Sequence, residues 1–213
     1  MIDSIIDISH HNGPNLDFAA LAAAGVAAII HKATQGTGFV DPNYASNRVK
    51  ALDEGLLFGS YHFGTGEDGG EQALFYLETV GPQPGELLTL DFESNHAGPS
   101  MALEEARAFV TVIHDRIGKW PVLYAGHDLK EQLAGRPDAI LSNCPLWIAQ
   151  YGPKPVLPAG FAAWKLWQWT DGAVGVNPLP IGGLHCDRDR YFGSADELPA
   201  FWASVSADTP LIS

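Results

Sequence analysis

The sequence predicts an α/β barrel of eight strands with about five helices. Three observations carry this reading: apolar β-rich runs alternate with helical patterns over the first two thirds of the chain, three further strands follow without helical links, and the length is modest. Repeated strand–helix units imply parallel strands, because each helix supplies the crossover that a parallel pair needs. At 213 residues the chain is short of the roughly 250 that a full barrel of eight strand–helix units takes, so fewer helices are expected.

The elements follow in order. "SIIDIS" is the first strand and "LDFAALAAAG" the first helix; "AAIIHKA" and "NYASNRVKALDEG" form the second unit, "LLFGSYHF" and "GGEQALFYLETV" the third. "ELLTLDFE" is the fourth strand. The helix after it, "SMALEEARAFVTVIHDRIG", has the clearest pattern: Leu103, Ala106, Val110, Ile113 and Ile117 recur at helical spacing, Glu104 and Glu105 lie in the first turn, and Gly118 ends it. "WPVLYAG" and "HDLKEQLAG" make the fifth unit. The links "GPKPVLPAGFAA" and "DGAVGVNPLPIGG" are too rich in Gly and Pro to hold crossover helices easily, so "PLWIAQY", "WKLWQWT" and "LHCDRDRY" are expected as three closing strands, with the last strands of the barrel running antiparallel.

Composition narrows the function. The chain is 46% hydrophobic, enough for a sizeable core, and its 12 basic against 25 acidic residues give a net charge of −13. Such a charge repels phosphate backbones and anionic lipid, which excludes nucleic acid and membrane surfaces as partners. No apolar run reaches membrane-spanning length, and the start "MIDSIIDISHHNG" lacks a basic n-region and cleavage site. Cys144 and Cys186 are not spaced as a metal pair, and two free, inert thiols are expected.

The chemistry is concentrated where strands end. In "TLDFESN" two acids flank Phe92, and alternation along a strand points Leu87, Thr89, Asp91 and Glu93 to one face and Leu88, Leu90 and Phe92 to the other. The first strand turns Asp7 inward between Ile6 and Ile8, and the last offers Asp187 or Asp189 in the same phase. Active sites of such barrels lie at the C-terminal mouth of the strands. Four carboxylates converging there repel one another, an arrangement that structure alone gives no reason to keep.

With those motifs in view, the sequence resembles the glycoside hydrolase family 25 muramidases, the Chalaropsis-type lysozymes. "DISHHNG" is similar to the family's opening Asp-x-Ser motif, "AIIHKATQGTGFVDPNYASN" to its second-strand region, "GSYHF" to its third-strand signature, and "LDFE" to its Asp-x-Glu catalytic motif. "LWIAQY" and "LWQWT" are similar to its late aromatic strands and "HCDRDRY" to its closing acid motif, where Asp189 stands in place of the more usual Asn. The match is collinear over roughly 5–192. It implies a TIM-like barrel of the (βα)5β3 type that hydrolyses the β-1,4 bond between N-acetylmuramic acid and N-acetylglucosamine, without a metal or other cofactor. Glu93 is then the general acid and base, Asp91 assists in a retaining, substrate-assisted reaction, and Asp7 and Asp187 complete the acids, with Asp189 competing for the fourth place.

Lys32, Tyr61, Phe63, Tyr124 and Trp147 are the candidate substrate-binding residues, the rings to stack on sugar faces and Lys32 to meet an anionic lactyl or peptide carboxylate. The expected partner is the glycan strand of bacterial peptidoglycan, met by a monomeric single catalytic domain, 1–213, with no separate wall-binding domain. Action on the cell wall without a classical signal peptide implies release by lysis, a holin or a dedicated secretion machine. Two other readings stay open: a metal-dependent barrel hydrolase using His10, His62, His185 and the acids, and a carbohydrate-binding barrel without turnover.

Overall fold

The computed structural model describes residues 1–173 and 179–211. Its strands are β1 (Ile2–Ile8), β2 (Ala28–Gln35), β3 (Phe39–Val40), β4 (Leu57–Phe63), β5 (Leu87–Phe92), β6 (Val122–Ala125), β7 (Leu146–Ala149), β8 (Leu166–Thr170) and β9 (Asp187–Tyr191). All but β3 join one closed sheet in the order β1-β9-β8-β7-β6-β5-β4-β2, with β1 returning to β2. The two-residue β3, unforeseen in the sequence, folds back as a hairpin on the end of β2.

Neighbours are parallel from β1 through β8, and β9 alone runs antiparallel to both its partners. The pair β7 and β8 is therefore a parallel connection made without a helix, because "GPKPVLPAGFAA" crosses back as irregular chain. Part of the second Gly- and Pro-rich link lies outside the described residues.

The helices are α1 (Phe18–Ala23), α2 (Tyr44–Asp53), α3 (Gly69–Val80), α4 (Leu103–Ile117), α5 (His127–Leu133) and α6 (Leu198–Ser204). Five match the expected crossovers. At α4 the Glu105 carboxylate accepts from the Ala102 N–H and Gly118 closes the C-terminus in left-handed geometry, its N–H reaching the His114 carbonyl. Gly69 opens α3 against α4 at a distance no side chain tolerates: a Cβ there would meet the Glu105 carbonyl oxygen at 1.9 Å.

Alternation divides the core as the strand pattern requires. Ile6, Ile8, Leu88, Leu90 and Phe92 pack outward under the helices with Phe109, Val110 and Ile113 of α4. Ile5, Ile30, Leu87, Val122, Tyr124 and Trp147 fill the barrel. The sixth helix, beyond the five expected, joins that inner layer: Leu198, Phe201 and Trp202 pack with Ile5, Ala28 and Leu87, and the Trp202 indole N–H donates to the Phe58 carbonyl at 2.7 Å. A buried indole with its polar atom satisfied is a large single contribution, so Trp202→Ala should lower unfolding free energy by about 3–5 kcal/mol in urea titration.

Candidate active site

The strand ends place the acids. Asp7 is the penultimate residue of β1, Asp91 the penultimate residue of β5, and Glu93 follows directly after β5. Because β9 is antiparallel, its first residue reaches the same mouth, and Asp187 stands opposite Asp7 in the ladder. Asp7, Asp91, Glu93 and Asp187 line one cavity of about 80 Å³ with Tyr61, Tyr124, Trp147 and Gln168. A wider cavity of about 370 Å³ adjoins it, lined by Ser94, His96, His127, Asp128, Gln150 and Tyr151 and sharing Glu93, Tyr124 and Gln168 with the first. Glu93 thus stands where the two spaces meet.

Burial first, and neighbouring carboxylates second, raise the pKa of Asp7, Asp91, Glu93 and Asp187. Asp91 is buried, and desolvation, then the charge of Glu93, holds its carboxyl well above the ordinary range against the opposing pull of Lys32. Its Oδ1 receives no hydrogen bond among the described residues. Glu93 is reachable from solvent, yet the cleft walls desolvate it first and Asp128 repels it second, so its carboxyl is raised too. Asp187 is pushed up to about 9 by burial and by Asp7.

Gln168 ties the site together. Its Nε2 donates to Asp7 Oδ2 at 3.0 Å, while its Oε1 accepts from the hydroxyls of Tyr124 at 2.9 Å and Tyr151 at 3.2 Å. The sequence reading did not name Gln168, although the alternation of "LWQWT" puts Leu166, Gln168 and Thr170 in one phase. A polar residue inside an apolar β-run was the available signal.

The substrate-binding candidates divide by depth. Tyr61 and Tyr124 border the inner cavity. Trp147 is only 1% exposed, donates its indole N–H to Asp189 at 2.7 Å and meets Tyr124 edge to face, so it forms floor more than open platform. Lys32 lies over the Phe63 ring at 4.7 Å and donates to Gln35 at 2.7 Å. Burial lowers its ammonium pKa in the face of attraction from Asp91, Asp41 and Glu93. Asp189 is fully buried below the cavity, which leaves Asp187 as the fourth acid of the lining.

None of His10, His62 and His185 lines the cavity of the four acids. His62 points into the helix layer between Thr34 and Gln72, its pKa lowered to about 4 by burial, while His10 bonds Asp41 and His185 is exposed. Both cysteines are buried and free, and burial pushes their thiols up.

Comparison with known proteins agrees with this architecture. Residues 6–176 match the family model described as glycosyl hydrolases family 25. The chain is 28% identical to lysozyme M1 of Streptomyces globisporus over 92% of its own length and 69% of the relative's. It is 29% identical to the N,O-diacetylmuramidase of Chalaropsis over 78% and 86%. Among solved structures, a lysozyme from Streptomyces coelicolor superposes with a TM-score of 0.82 at 26% identity, covering 94% of this chain and 97% of that one. A barrel of this topology, with its acids at the strand ends and a family match over most of its length, identifies the chain as a glycosidase belonging to glycosyl hydrolases family 25.

Proposed function

We propose that the protein is a peptidoglycan muramidase, cleaving the β-1,4 bond from N-acetylmuramic acid to N-acetylglucosamine, with Glu93 as general acid and base and Asp91 assisting. The single observation that carries this reading is the Asp91–Glu93 pair: a buried carboxylate with a free oxygen, two residues before a solvent-reachable acid at the junction of two cavities. The names of the relatives, lysozyme and muramidase, support the substrate class and action on the cell wall.

Same-strand neighbours two apart have Cα atoms roughly 6.6–6.8 Å apart and point the same way. Direct attack by Asp91 from the opposite face of the sugar is then awkward, whereas a direct nucleophile stands about 5–5.5 Å from its acid across the bond. The geometry instead suits an internal nucleophile. Glu93 gives its proton to the leaving oxygen as the C1–O bond breaks, and the 2-acetamido carbonyl oxygen closes on C1. Asp91 accepts the acetamide N–H through its free oxygen and balances the positive charge. Water then attacks C1 as the bond from C1 to the acetamido oxygen breaks and the acetamide re-forms, Glu93 takes the water's proton, and configuration is retained.

The acids fix the pH dependence. Glu93, raised by burial, must be protonated, a form present below its pKa and lost as pH rises through it; Asp91 must be ionised, a form lost as pH falls through its own raised pKa, so the acidic limb lies above the ordinary aspartate range. The pair titrates in two steps, so the rate should be bell-shaped, with a basic limb set above the ordinary glutamate range. Turbidity loss and reducing-end release from purified peptidoglycan, measured across pH with EDTA present, test the assignment. Cleavage that survives EDTA supports it, cleavage abolished by EDTA favours metal chemistry, and folded protein inert on several wall types favours a binding barrel.

A further inference from the structure

We infer that the outer face of β8 and β9 carries a second glycan-binding site, in which Arg190 takes a carboxylate and the rings of Trp164 and Phe192 receive the sugar beside it. This site and the mouth lie back to back on the same two strands. Gln168 and Asp189 point into the barrel, whereas Trp167, Trp169, Arg188 and Arg190 point out. The link between β7 and β8 stands there in place of a helix, and its Leu157, Phe161 and Trp164 pack against the cluster of Trp167 and Trp169.

The rings form a row that ends on a cation. Phe192, 59% exposed, meets the half-buried Trp164 edge to face at 5.0 Å, and Trp164 meets Trp167 at 5.8 Å. The Arg190 guanidinium lies 4.2 Å from the Trp169 ring and 5.1 Å from that of Trp167. Two indoles hold its planar fork in place, ready to give a carboxylate two parallel N–H bonds. Among the described residues no acceptor takes an Arg190 N–H.

The acids close by are already engaged. Asp3 accepts from the Trp169 indole at 3.2 Å and pairs with Arg188 at 3.2 Å, and Glu197 accepts from the Ser194 N–H and hydroxyl. Lys165, exposed beside Trp164, adds a second cation at the ring end of the row. A chain of charge −13 repels an anionic polymer from most directions, so a local cation with free donors decides where one can touch it.

The occupant that fits is an acidic glycan. A phosphate polymer would use the arginine alone, whereas the ring faces beside it suit a chain that also offers sugar faces. Its identification with a peptidoglycan strand, whose carboxylates sit next to its sugars, rests on the proposed function. A strand held here is a different one from the strand in the cleft, and it would keep the enzyme on an insoluble wall between cuts.

Titration of the Glu93→Gln chain with soluble, uncross-linked peptidoglycan strands tests this by NMR. The Arg190 Nε–H signal, assigned by its loss in Arg190→Lys, should shift and saturate. It should stay still when the carboxylates of the same strands have been amidated. Followed at the Trp169 indole N–H, Arg190→Lys and Phe192→Ala should each weaken that saturation about tenfold; the first keeps the charge but loses the fork, and the second removes an exposed ring. An Arg190 signal that stays still while the Trp147 indole at the floor of the cleft moves would overturn the site. So would an equal shift with amidated strands, or a shift with polyglycerol phosphate and none with the strands. Wild-type turnover is read separately. Strands that move Arg190 but are not cleaved uphold this site and count against the muramidase reading, and strands that are cleaved but leave Arg190 still do the reverse.

Discussion

Glu93→Gln should bind peptidoglycan as the wild type does and cleave it about 10³-fold more slowly, the usual scale for a missing general acid. Glutamine matches the shape of the carboxylic acid but has no proton to deliver to the leaving oxygen. Glu93 is reachable from solvent and borders both cavities, so the change should cost little stability. A substrate whose leaving group needs no proton, such as a nitrophenyl glycoside, should lose far less. Equal loss on both substrates would remove Glu93 from the acid role, and unchanged binding with full turnover would remove it from the site altogether.

Asp91→Asn should cost about 10²–10³-fold in kcat, the range expected for one preorganised electrostatic contact at a developing charge. The asparagine is close in size, but it cannot balance the positive charge that builds when the acetamido oxygen closes on C1. A glycan stripped of its N-acetyl groups tests the same step from the substrate side. Wild-type enzyme should lose most of its rate on that glycan, and Asp91→Asn should add little further loss, because both changes remove one interaction. Were Asp91 a direct nucleophile, the wild type would tolerate the stripped glycan and the two losses would multiply.

Much of this site was legible in the strand pattern, since a period of two fixes which side chains share a face. "ELLTLDFE" divided into a helix-facing set of Leu88, Leu90 and Phe92 and an inward set of Leu87, Thr89, Asp91 and Glu93, the last of which follows β5 and still borders the cavity, and Asp7 followed from Ile6 and Ile8 in the same way. What escaped depended on contacts across the barrel. Gln168 lies 161 positions from the carboxylate it holds, a pairing that no local pattern encodes. Trp147 has the composition of a sugar platform, and its burial against Asp189 arises from strand order. Helix α6 is short and carries Phe201 and Trp202, and its packing against the inner apolar cluster is a tertiary contact that its local pattern does not encode. The parallel β7–β8 pair shows that a crossover needs length more than helical structure.

The central claim is that two carboxyls at the end of one strand, Asp91 within β5 and Glu93 just after it, work through the substrate's own acetamido group, and the anomeric form of the first product tests it most directly. Proton NMR of a defined glycan oligomer, recorded within seconds of adding enzyme and before mutarotation, should show the β-anomer of the new reducing end. The α-anomer appearing first would mean that water attacks C1 directly from the opposite face, and would contradict the account.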